Sequence, residues 1–346
     1  MKQPNVAICM AEDRQAEEPA LRVAMASARL ANPGVPIVAF MPNATDAFVH
    51  WAGTQGQIDI RRYTPGSGNG WNVKPHALLE LLNEGKETVW WIDSDVVVLQ
   101  TLSTRFAGIA PDALVATEEA EFARYHDEGA RAEAWGFEVT RHFGFTLNSG
   151  VLRVTRGQQL FLHAWANALR DEAYLAAQGQ PWDDRPFHLL GDQDVMTALL
   201  CSPQFSQEPV HILRRGTDII QYFSLGGYSL WERMVDLRTR SVAFIHSQSY
   251  KPWRRQELHG AEGRRNVKAV LDDLMSDTSP HSLAALALRP HLGDSCEWAR
   301  PRTWLGAVLR RTGMGSRALT GLPLAVLADI YRHFFRRQRT AVPRTQ

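Results

Sequence analysis

Two aspartates, Asp93 and Asp95, interrupt the otherwise apolar stretch "VWWIDSDVVVL" that runs from Val89 to Leu99. Burying an ionised carboxylate without a partner is costly, so such a pair normally lies at a strand end, opposite a cation or a hydrogen-bonding ligand. The flanking residues are β-branched and aromatic, which is typical of a central strand in a parallel sheet covered on both faces. Because ligands bind at strand ends in such sheets, the stretch predicts a functional site.

A histidine, His246, ends another predicted strand within "VAFIHSQSYKPW". Two carboxylates and an imidazole suit Mn²⁺, or Mg²⁺ less well, better than they suit Ca²⁺. A divalent cation would explain why Asp93 and Asp95 lie where the chain is about to be buried. Two alternatives stay open: the aspartates could cap backbone N–H groups at a strand end, and His246 could be a hydrogen-bonded structural residue.

The segments around these residues alternate between strand and helix patterns. "NVAICM", "PALRVAMASARLANPG" and "VPIVAFM" predict a strand, a helix and a strand, and "KPHALLELLNEG" predicts a helix before the strand "TVWWIDSDVVVL". "FTLNSGVLRV" predicts a strand broken at its Asn-Ser-Gly, "LFLHAWANALRDEAYL" a helix, and "GDQDVMTALL" the start of another helix. Residues 111–142 show no assignable pattern. The fold class predicted is α/β, with a mainly parallel central sheet flanked by helices.

Composition places the chain among globular proteins. Its 346 residues are 45% hydrophobic, enough for a sizeable core, and its three cysteines are scattered without metal-ligand spacing. A reducing compartment is the simplest interpretation, and the amino-terminal residues read as a first strand, not as a signal peptide. The apolar run "GLPLAVLADIY" is too short to span a bilayer. We therefore expect a cytoplasmic protein.

The net charge of +1 conceals a basic carboxyl-terminal tail. From Arg300 onward the chain has ten arginines, one aspartate and no lysine, so the preceding part is net acidic. In "TWLGAVLRR" and "LADIYRHFFRRQR", apolar and aromatic residues recur at helical spacing beside arginines, which predicts helices lying on an anionic membrane surface, at the inner face of the cytoplasmic membrane. The alternative is that the apolar faces pack on the rest of the protein. The acidic body argues against nucleic-acid binding.

Four motifs, taken in order, resemble those of the family 8 type of retaining glycosyltransferases, which have a GT-A fold. They are a hydrophobic strand ending in Asp-x-Asp, then Asn-Ser-Gly, then Asp-Gln-Asp, then a His followed shortly by Lys-Pro-Trp. The resemblance covers roughly residues 5 to 255 and implies a catalytic domain over residues 1–260. Residues 261–346 would then form a helical extension.

The resemblance implies a metal site and a leaving-group site. Asp93, Asp95 and His246 match the metal ligands, which hold Mn²⁺ or Mg²⁺ and, through it, the diphosphate of a nucleotide sugar. Lys251 matches the lysine that neutralises the departing diphosphate. The donor implied is a UDP-hexose, and the acceptor a glycan or glycolipid of the kind found on bacterial surfaces.

The resemblance also implies the residues that bind the donor. Ala11 and Asp13 match the loop that reads the nucleobase, and Asp192 and Gln193 match the residues that hold the sugar and face its anomeric carbon. The other donor-binding candidates lie in or just before the matching motifs, namely Lys74, Ser94, Asn148 and Ser149. For Lys74, a solvated lysine at the start of a helix is an equal alternative.

The residue types are chemically consistent with this function. A cation and a lysine would stabilise the charge that develops on a departing diphosphate. Gln193 is a neutral amide and a poor base or nucleophile, which favours front-face attack with retention. Two other functions remain open: a haloacid dehalogenase-like phosphatase, with Asp93 as nucleophile and Asp95 as general acid, and a sugar-binding protein without turnover.

Overall fold

The structure is a computed structural model that describes residues 5–119, 128–223, 227–248, 250–254 and 267–335. The chain forms two compact units, one of residues 1–96 and 101–214 and the other of residues 97–100 and 215–346. The functional division at residue 260 stays a prediction, because compactness does not test which residues catalyse.

Strands and helices alternate along the described chain. The strands are β1 (Val6–Ala11), β2 (Ile37–Phe40), β3 (Ile58–Arg61), β4 (Thr88–Ile92), β5 (Val96–Val98), β6 (Leu114–Glu118), β7 (Leu147–Thr155), β8 (Val210–Leu213), β9 (Ile219–Gln221) and β10 (Phe244–His246). The helices up to residue 201 are α1 (Glu18–Ala31), α2 (Asp46–Gln55), α3 (Lys74–Asn83), α4 (Leu102–Arg105), α5 (Glu128–Ala134), α6 (Gln159–Ala168), α7 (Glu172–Gln178) and α8 (Asp192–Cys201). The later helices are α9 (Leu230–Thr239), α10 (Val267–Thr278), α11 (Pro280–Ala287), α12 (Arg289–Leu292), α13 (Trp304–Thr312), α14 (Arg317–Thr320) and α15 (Leu322–Phe335).

The first unit is built on a seven-stranded sheet with the order β3-β2-β1-β4-β7-β6-β8. The pairs from β3 to β4 are parallel, β7 runs antiparallel to both of its neighbours, and β8 is parallel to β6. The central strands are buried on both faces, as their continuous apolar runs predict. Helices α3 and α8 pack against them. The predicted α/β class with a mainly parallel central sheet is therefore confirmed.

Two elements differ from the sequence prediction. The stretch "TVWWIDSDVVVL" is not one strand, because it divides at Asp93–Asp95 into β4 and β5, which belong to different sheets. Conversely, β7 runs without a break through Asn148, Ser149 and Gly150, since its pairing with β4 and β6 supplies the hydrogen bonds that outweigh the turn propensity of these residues.

In two further segments, the structure contains helices or strands that the sequence pattern did not predict. The predicted helix "LFLHAWANALRDEAYL" is two helices, α6 and α7, and the second begins where the carboxylate of Asp171 accepts from the N–H groups of Ala173 and Tyr174. The unassigned segment 111–142 contains β6 and α5. Its residues 120–127 lie outside the described part of the chain.

The second unit contains a three-stranded sheet with the order β5-β10-β9 and the helices from α9 onward. Several described residues after Arg300 make contacts within this unit. The Arg317 guanidinium pairs with Asp236 of α9 at 2.6 Å, and Asp277 of α10 accepts from the N–H groups of Arg302 and Thr303. Several residues of the tail are therefore anchored to α9 and α10 of the second unit, while others stay exposed. Among the described residues, no helix is long and apolar enough to cross a membrane.

Candidate functional site

The candidate site of the first unit lies where β1 and β4 end. These neighbours are parallel, so their carboxyl ends meet at one edge of the sheet. The antiparallel strand β7 starts at the same edge, and the N–H of Asp93 donates to the carbonyl of Gly150 at 2.9 Å. This pairing brings the Asn-Ser-Gly motif of β7 next to Asp93.

A buried lysine joins three of the predicted motifs. The Nζ atom of Lys74, the first residue of α3, donates to the Ser149 Oγ at 2.7 Å and lies 3.2 Å from an Asp93 carboxylate oxygen. It also lies 3.3 Å from the Asp192 carboxylate, which accepts a 2.8 Å hydrogen bond from the Ser149 Oγ. Residues far apart in sequence are therefore held around one ammonium group.

Burial excludes one interpretation of Lys74. The side chain is only 5% exposed, so the alternative of a solvated lysine at a helix start is wrong. Burial alone would lower the pKa of Lys74, but the carboxylates of Asp192 and Asp93 outweigh this effect and raise it. Lys74 is therefore a cation held between two carboxylates.

The two carboxylates beside Lys74 differ in environment. Asp192, at the start of α8, is buried, and burial raises its pKa although Lys74 and the Ser149 hydroxyl oppose the shift. Asp93 keeps a quarter of its side chain exposed and accepts a 2.7 Å hydrogen bond from the Trp91 Nε1. Asp93 is therefore both oriented by the sheet and open to a ligand.

The predicted sugar-side residues Asn148 and Gln193 are in direct contact. The Asn148 Nδ2 donates to the Gln193 Oε1 at 2.9 Å and to the Glu119 carboxylate at 2.9 Å. Glu119 also accepts from the Gln193 Nε2 at 2.5 Å. Strand β7 and the amino terminus of α8 thus place the neutral amides of Asn148 and Gln193 within hydrogen-bond distance of the Glu119 carboxylate.

A small pocket opens beside the end of β1. Ala11 and Asp13, the predicted nucleobase residues, line it, and the remaining lining residues are Glu12, Phe40, Pro42, Thr64, Pro65, Asn69, Gly70 and Val73. The Asp13 carboxylate accepts from the Gly70 N–H at 3.0 Å, which ties the loop after β1 to the turn that precedes α3. The structure therefore brings both predicted residues to one concave surface.

Ser94 occupies the turn between the two aspartates. Its hydroxyl donates to the buried Glu12 carboxylate at 2.7 Å, and Glu12 is paired with Arg14 at 2.7 Å. This bond connects the loop after β1 to the Asp-x-Asp turn. The second aspartate of that turn, Asp95, is 5% exposed and directly precedes β5.

His246 and Lys251 belong to the second unit. His246 is the last residue of β10, is 2% exposed, and lies in register with Gln221 of β9. The Lys251 Nζ donates to the Ser247 carbonyl at 3.2 Å and lies 5.4 Å from the centre of the Trp253 ring. The loop of the Lys-Pro-Trp motif is thus anchored to the residue that follows His246.

Trp253 in turn rests on the carboxyl-terminal helical region. Its ring centre lies 4.9 Å from that of the buried His281 in α11 and 5.9 Å from that of Trp298. Because an aromatic cluster of this kind fixes ring positions, residues beyond 280 help to hold the loop that carries Lys251.

Two residues of the first unit were missed by the sequence analysis. Glu12 lies between the predicted Ala11 and Asp13, so its position directly after β1 was a usable signal. Glu119 follows β6, in a segment whose apolar pattern predicted no element, so nothing in its sequence context indicated that it would meet Asn148 and Gln193.

No protein-family model and no curated protein sequence matches the chain. Among solved structures, the chain is similar to the WbbM bifunctional glycosyltransferase, with 12% identity and a TM-score of 0.49 over 72% of this chain and 47% of WbbM. The chain therefore spans about half of the length of WbbM.

Two other solved structures are similar over most of their own length. One is the galactosyltransferase LgtC in complex with donor and acceptor sugar analogs, with 16% identity and a TM-score of 0.47 over 77% of this chain and 99% of LgtC. The other is mouse xyloside xylosyltransferase 1, with 14% identity and a TM-score of 0.41 over 70% of this chain and 97% of that protein. All three proteins are glycosyltransferases.

Proposed function

We propose that this chain is a metal-dependent retaining glycosyltransferase that moves a hexose from a nucleotide sugar, a UDP-sugar in the first instance, to a glycan or glycolipid acceptor. The acceptor would belong to a bacterial surface polysaccharide or lipopolysaccharide. One observation carries the proposal: Asp93, Ser149 and Asp192, from three separate motifs, meet around the Lys74 ammonium at the ends of β1 and β4. A nucleotide sugar presents phosphate oxygens and hydroxyl groups, which such charged and hydroxylic side chains bind.

Asp93, Asp95 and His246 would hold the divalent cation. Each offers one ligand atom, and two carboxylate oxygens with an imidazole nitrogen fit Mn²⁺, and Mg²⁺ less well. The chain path supports the grouping, since Asp95 directly precedes β5, and β5 lies beside β10, the strand that His246 ends. When bound, the cation supplies Lewis-acid stabilisation of the leaving diphosphate.

Lys251 would neutralise the same leaving group from the protein side. Its ammonium is held by the Ser247 carbonyl and the face of Trp253. The fixed Lys251 ammonium would stabilise the negative charge that forms on the diphosphate when the bond to the anomeric carbon breaks. The anchored position reduces the rotamer entropy that a free lysine would lose on binding.

The donor sugar would lie against Asn148, Asp192 and Gln193. Neither amide can take a proton, so the acceptor hydroxyl passes its proton to a departing phosphate oxygen on the same face. The C–O bond to phosphate breaks and the bond from the acceptor oxygen to the anomeric carbon forms on that face, which retains the configuration. Asp192 supplies a buried acceptor for a sugar hydroxyl beside the Lys74 cation.

The nucleobase would occupy the pocket beside Ala11 and Asp13. This pocket opens at the same sheet edge, and the hydrogen bond from Ser94 to Glu12 connects its loop to the Asp-x-Asp turn. A nucleotide bound there would extend from the base pocket toward Asp93. This placement supports a nucleoside diphosphate as the leaving group.

A screen of nucleotide sugars tests the proposal. The full-length protein should release a nucleoside diphosphate from at least one of them in the presence of Mn²⁺, and chelation should abolish the release. Release of inorganic phosphate from simple phosphomonoesters would instead identify the phosphatase. Binding of a nucleotide sugar without turnover, with or without acceptor glycans, would identify the sugar-binding alternative.

The tail would bring the enzyme to an anionic membrane that carries a lipid-linked acceptor. On α13, Trp304 is 78% exposed and Val308 is 45% exposed, and Leu305 and the exposed Arg311 lie on the same helical face. Aromatic and aliphatic side chains beside an arginine suit a helix that lies in the lipid interface. Arg336 and Arg337, which the sequence analysis included in this surface, lie outside the described residues.

A further inference from the structure

Glu119 is a buried carboxylate that directly follows β6 and meets both sugar-side amides. The residue is 4% exposed. One oxygen of its carboxylate accepts from the Asn148 Nδ2 at 2.9 Å and from the Gln193 Nε2 at 2.5 Å. A carboxylate has no hydrogen to donate, so only the NH₂ group of each amide can face it. Glu119 therefore sets the orientation of both amides.

A third hydrogen bond closes this arrangement. The second hydrogen of the Asn148 Nδ2 goes to the Gln193 Oε1 at 2.9 Å, and the Asn148 Oδ1 accepts from the Gly150 N–H at 2.8 Å. Both amide hydrogens of Asn148 are therefore donated to groups of the protein. Within the described structure, Gln193 keeps one N–H and one carbonyl lone pair for a ligand.

We propose that Glu119 is a positioning residue that presents Gln193 to the donor sugar in a single amide orientation. This inference rests on the proposed function. A flipped Gln193 amide would place its Oε1 against the Glu119 oxygen, and the two electron-rich atoms would repel each other. The carboxylate therefore excludes the flipped state, and Asn148, held by the same carboxylate, supports the other side of the amide.

The single orientation has a consequence for sugar transfer. Glycosyl transfer passes through a transition state with oxocarbenium character, so positive charge develops on the sugar ring. A carbonyl oxygen whose amide N–H is held by a carboxylate is more electron-rich, and it stabilises that charge without reorganising. Gln193 is the group that touches the sugar, and Glu119 acts through it.

The test uses the nearly isosteric variant Glu119→Gln, with Glu118→Gln as the matched control. An amide at position 119 can donate or accept, so it tolerates both orientations of Gln193. Glu118 is the adjacent carboxylate and lies 3.5 Å from the Arg214 guanidinium. Both variants remove one negative charge from neighbouring positions, so a general charge effect would appear in both.

The first readout is the side-chain amide resonance pair of Gln193, assigned by its loss in Gln193→Ala. In the wild type, the Nε2 proton bound to the carboxylate should be shifted downfield and should exchange slowly. Glu119→Gln should abolish this shift, and Glu118→Gln should preserve it. A Gln193 resonance that is unchanged in Glu119→Gln overturns the proposal, whatever the activity.

The second readout is steady-state kinetics with the donor found in the nucleotide-sugar screen. Glu119→Gln should lower kcat about 100-fold, because a misplaced group near the reacting centre costs about that much. The donor KM and the affinity for the bare nucleoside diphosphate should stay near the wild-type values, and Glu118→Gln should be normal. A raised KM with unchanged kcat indicates a binding role only and contradicts the proposal. A wild-type protein that turns over no nucleotide sugar refutes the proposed function, and the resonance comparison then decides the role of Glu119 by itself.

Discussion

At the scale of single residues, charge compensation explains the buried polar groups of the first unit. Lys74, Asp93 and Asp192 would each be costly to bury alone, but both carboxylates lie within 3.4 Å of the Lys74 ammonium, and Asp192 also accepts from the Ser149 hydroxyl. All three residues are candidates from the sequence alone. The burial of Lys74 cannot be read from the sequence, because it depends on how closely β7 and α8 approach α3.

Replacing Lys74 by methionine should therefore destabilise the protein. Breaking a buried ion pair from one side leaves an uncompensated charge, which costs about 3–5 kcal/mol. We expect this loss in the free energy of unfolding measured in urea at neutral pH. A change below about 1 kcal/mol, the value of an exposed pair, would show that the lysine is solvated after all.

Replacing the metal-ligand candidates should remove activity and leave the fold intact. Asp93→Asn and Asp95→Asn keep side-chain volume but each removes an anionic ligand, so we expect a loss of about 100-fold or more in turnover. The loss should be larger for Asp95. Far-ultraviolet circular dichroism serves as the folding control. An Asp95→Asn enzyme with unchanged Mn²⁺ dependence would refute the metal assignment.

Changes at Gln193 should separate sugar transfer from nucleotide binding. The amide contacts Asn148 and Glu119 and is not among the residues that line the pocket beside Ala11 and Asp13. Calorimetry with the bare nucleoside diphosphate should give a nearly normal affinity for Gln193→Ala, while transfer collapses. The reverse pattern, weak nucleotide binding with normal transfer, would place Gln193 at the nucleotide instead.

At the scale of secondary structure, a buried ion pair connects α5 to the start of α8. The Arg131 Nε donates to the Asp194 carboxylate at 2.8 Å, and both side chains are fully buried. Asp194 also accepts from the Gly191 N–H, which closes the first turn of α8. Since Asp192 and Gln193 stand on that turn, the pair helps to position them.

Removing one partner of this pair should harm both stability and transfer. We expect Arg131→Met to lower the melting temperature markedly, because it leaves the Asp194 carboxylate buried without its cation. The double variant Arg131→Met, Asp194→Leu should recover stability, since no buried charge remains. A double variant as unstable as the single one would show that the arginine acts by packing against Phe187, over whose ring it lies.

Sequence patterns predicted the elements whose residues repeat regularly. The strands β1 and β2 and the helices α1, α3 and α8 follow apolar periodicity and the punctuation of Pro and Gly. The division of residues 88–99 into two strands could not be predicted, because Val89–Leu99 is apolar on both sides of the aspartates. Strand β5 is distinct from β4 only because it pairs with β10 in the three-stranded sheet. The contact of Glu119 with Gln193 depends likewise on tertiary pairing alone.

At the scale of the whole molecule, the carboxyl-terminal tail is part of the second unit. The buried Arg233 of α9 donates to the carbonyls of Arg317 and Ala318, and Asp236 pairs with the Arg317 guanidinium. Removing the chain after Ala299 would take these carbonyl and guanidinium partners away from Arg233 and Asp236. A protein that ends near Ala299 should therefore be destabilised.

Point variants on the exposed face of α13 test membrane binding without this complication. We expect the full-length protein to float with anionic vesicles at low salt, and Trp304→Ser with Val308→Ser to reduce that binding strongly. Both side chains are exposed, so thermal stability and turnover of donor with a water-soluble acceptor should stay normal. Membrane docking through α13 would be contradicted if the protein does not bind anionic vesicles at low salt, or if it binds them equally well after the substitutions.

The most direct measurement of the central claim is a proton NMR time course of one reaction mixture. It would contain the full-length protein, Mn²⁺, the donor found in the screen and a sugar acceptor. The anomeric signal of the nucleotide sugar should decline while a product signal of the same anomeric configuration rises, and Asp95→Asn should show neither change. A donor signal that persists, or a product of inverted configuration, would contradict a metal-dependent retaining glycosyltransferase.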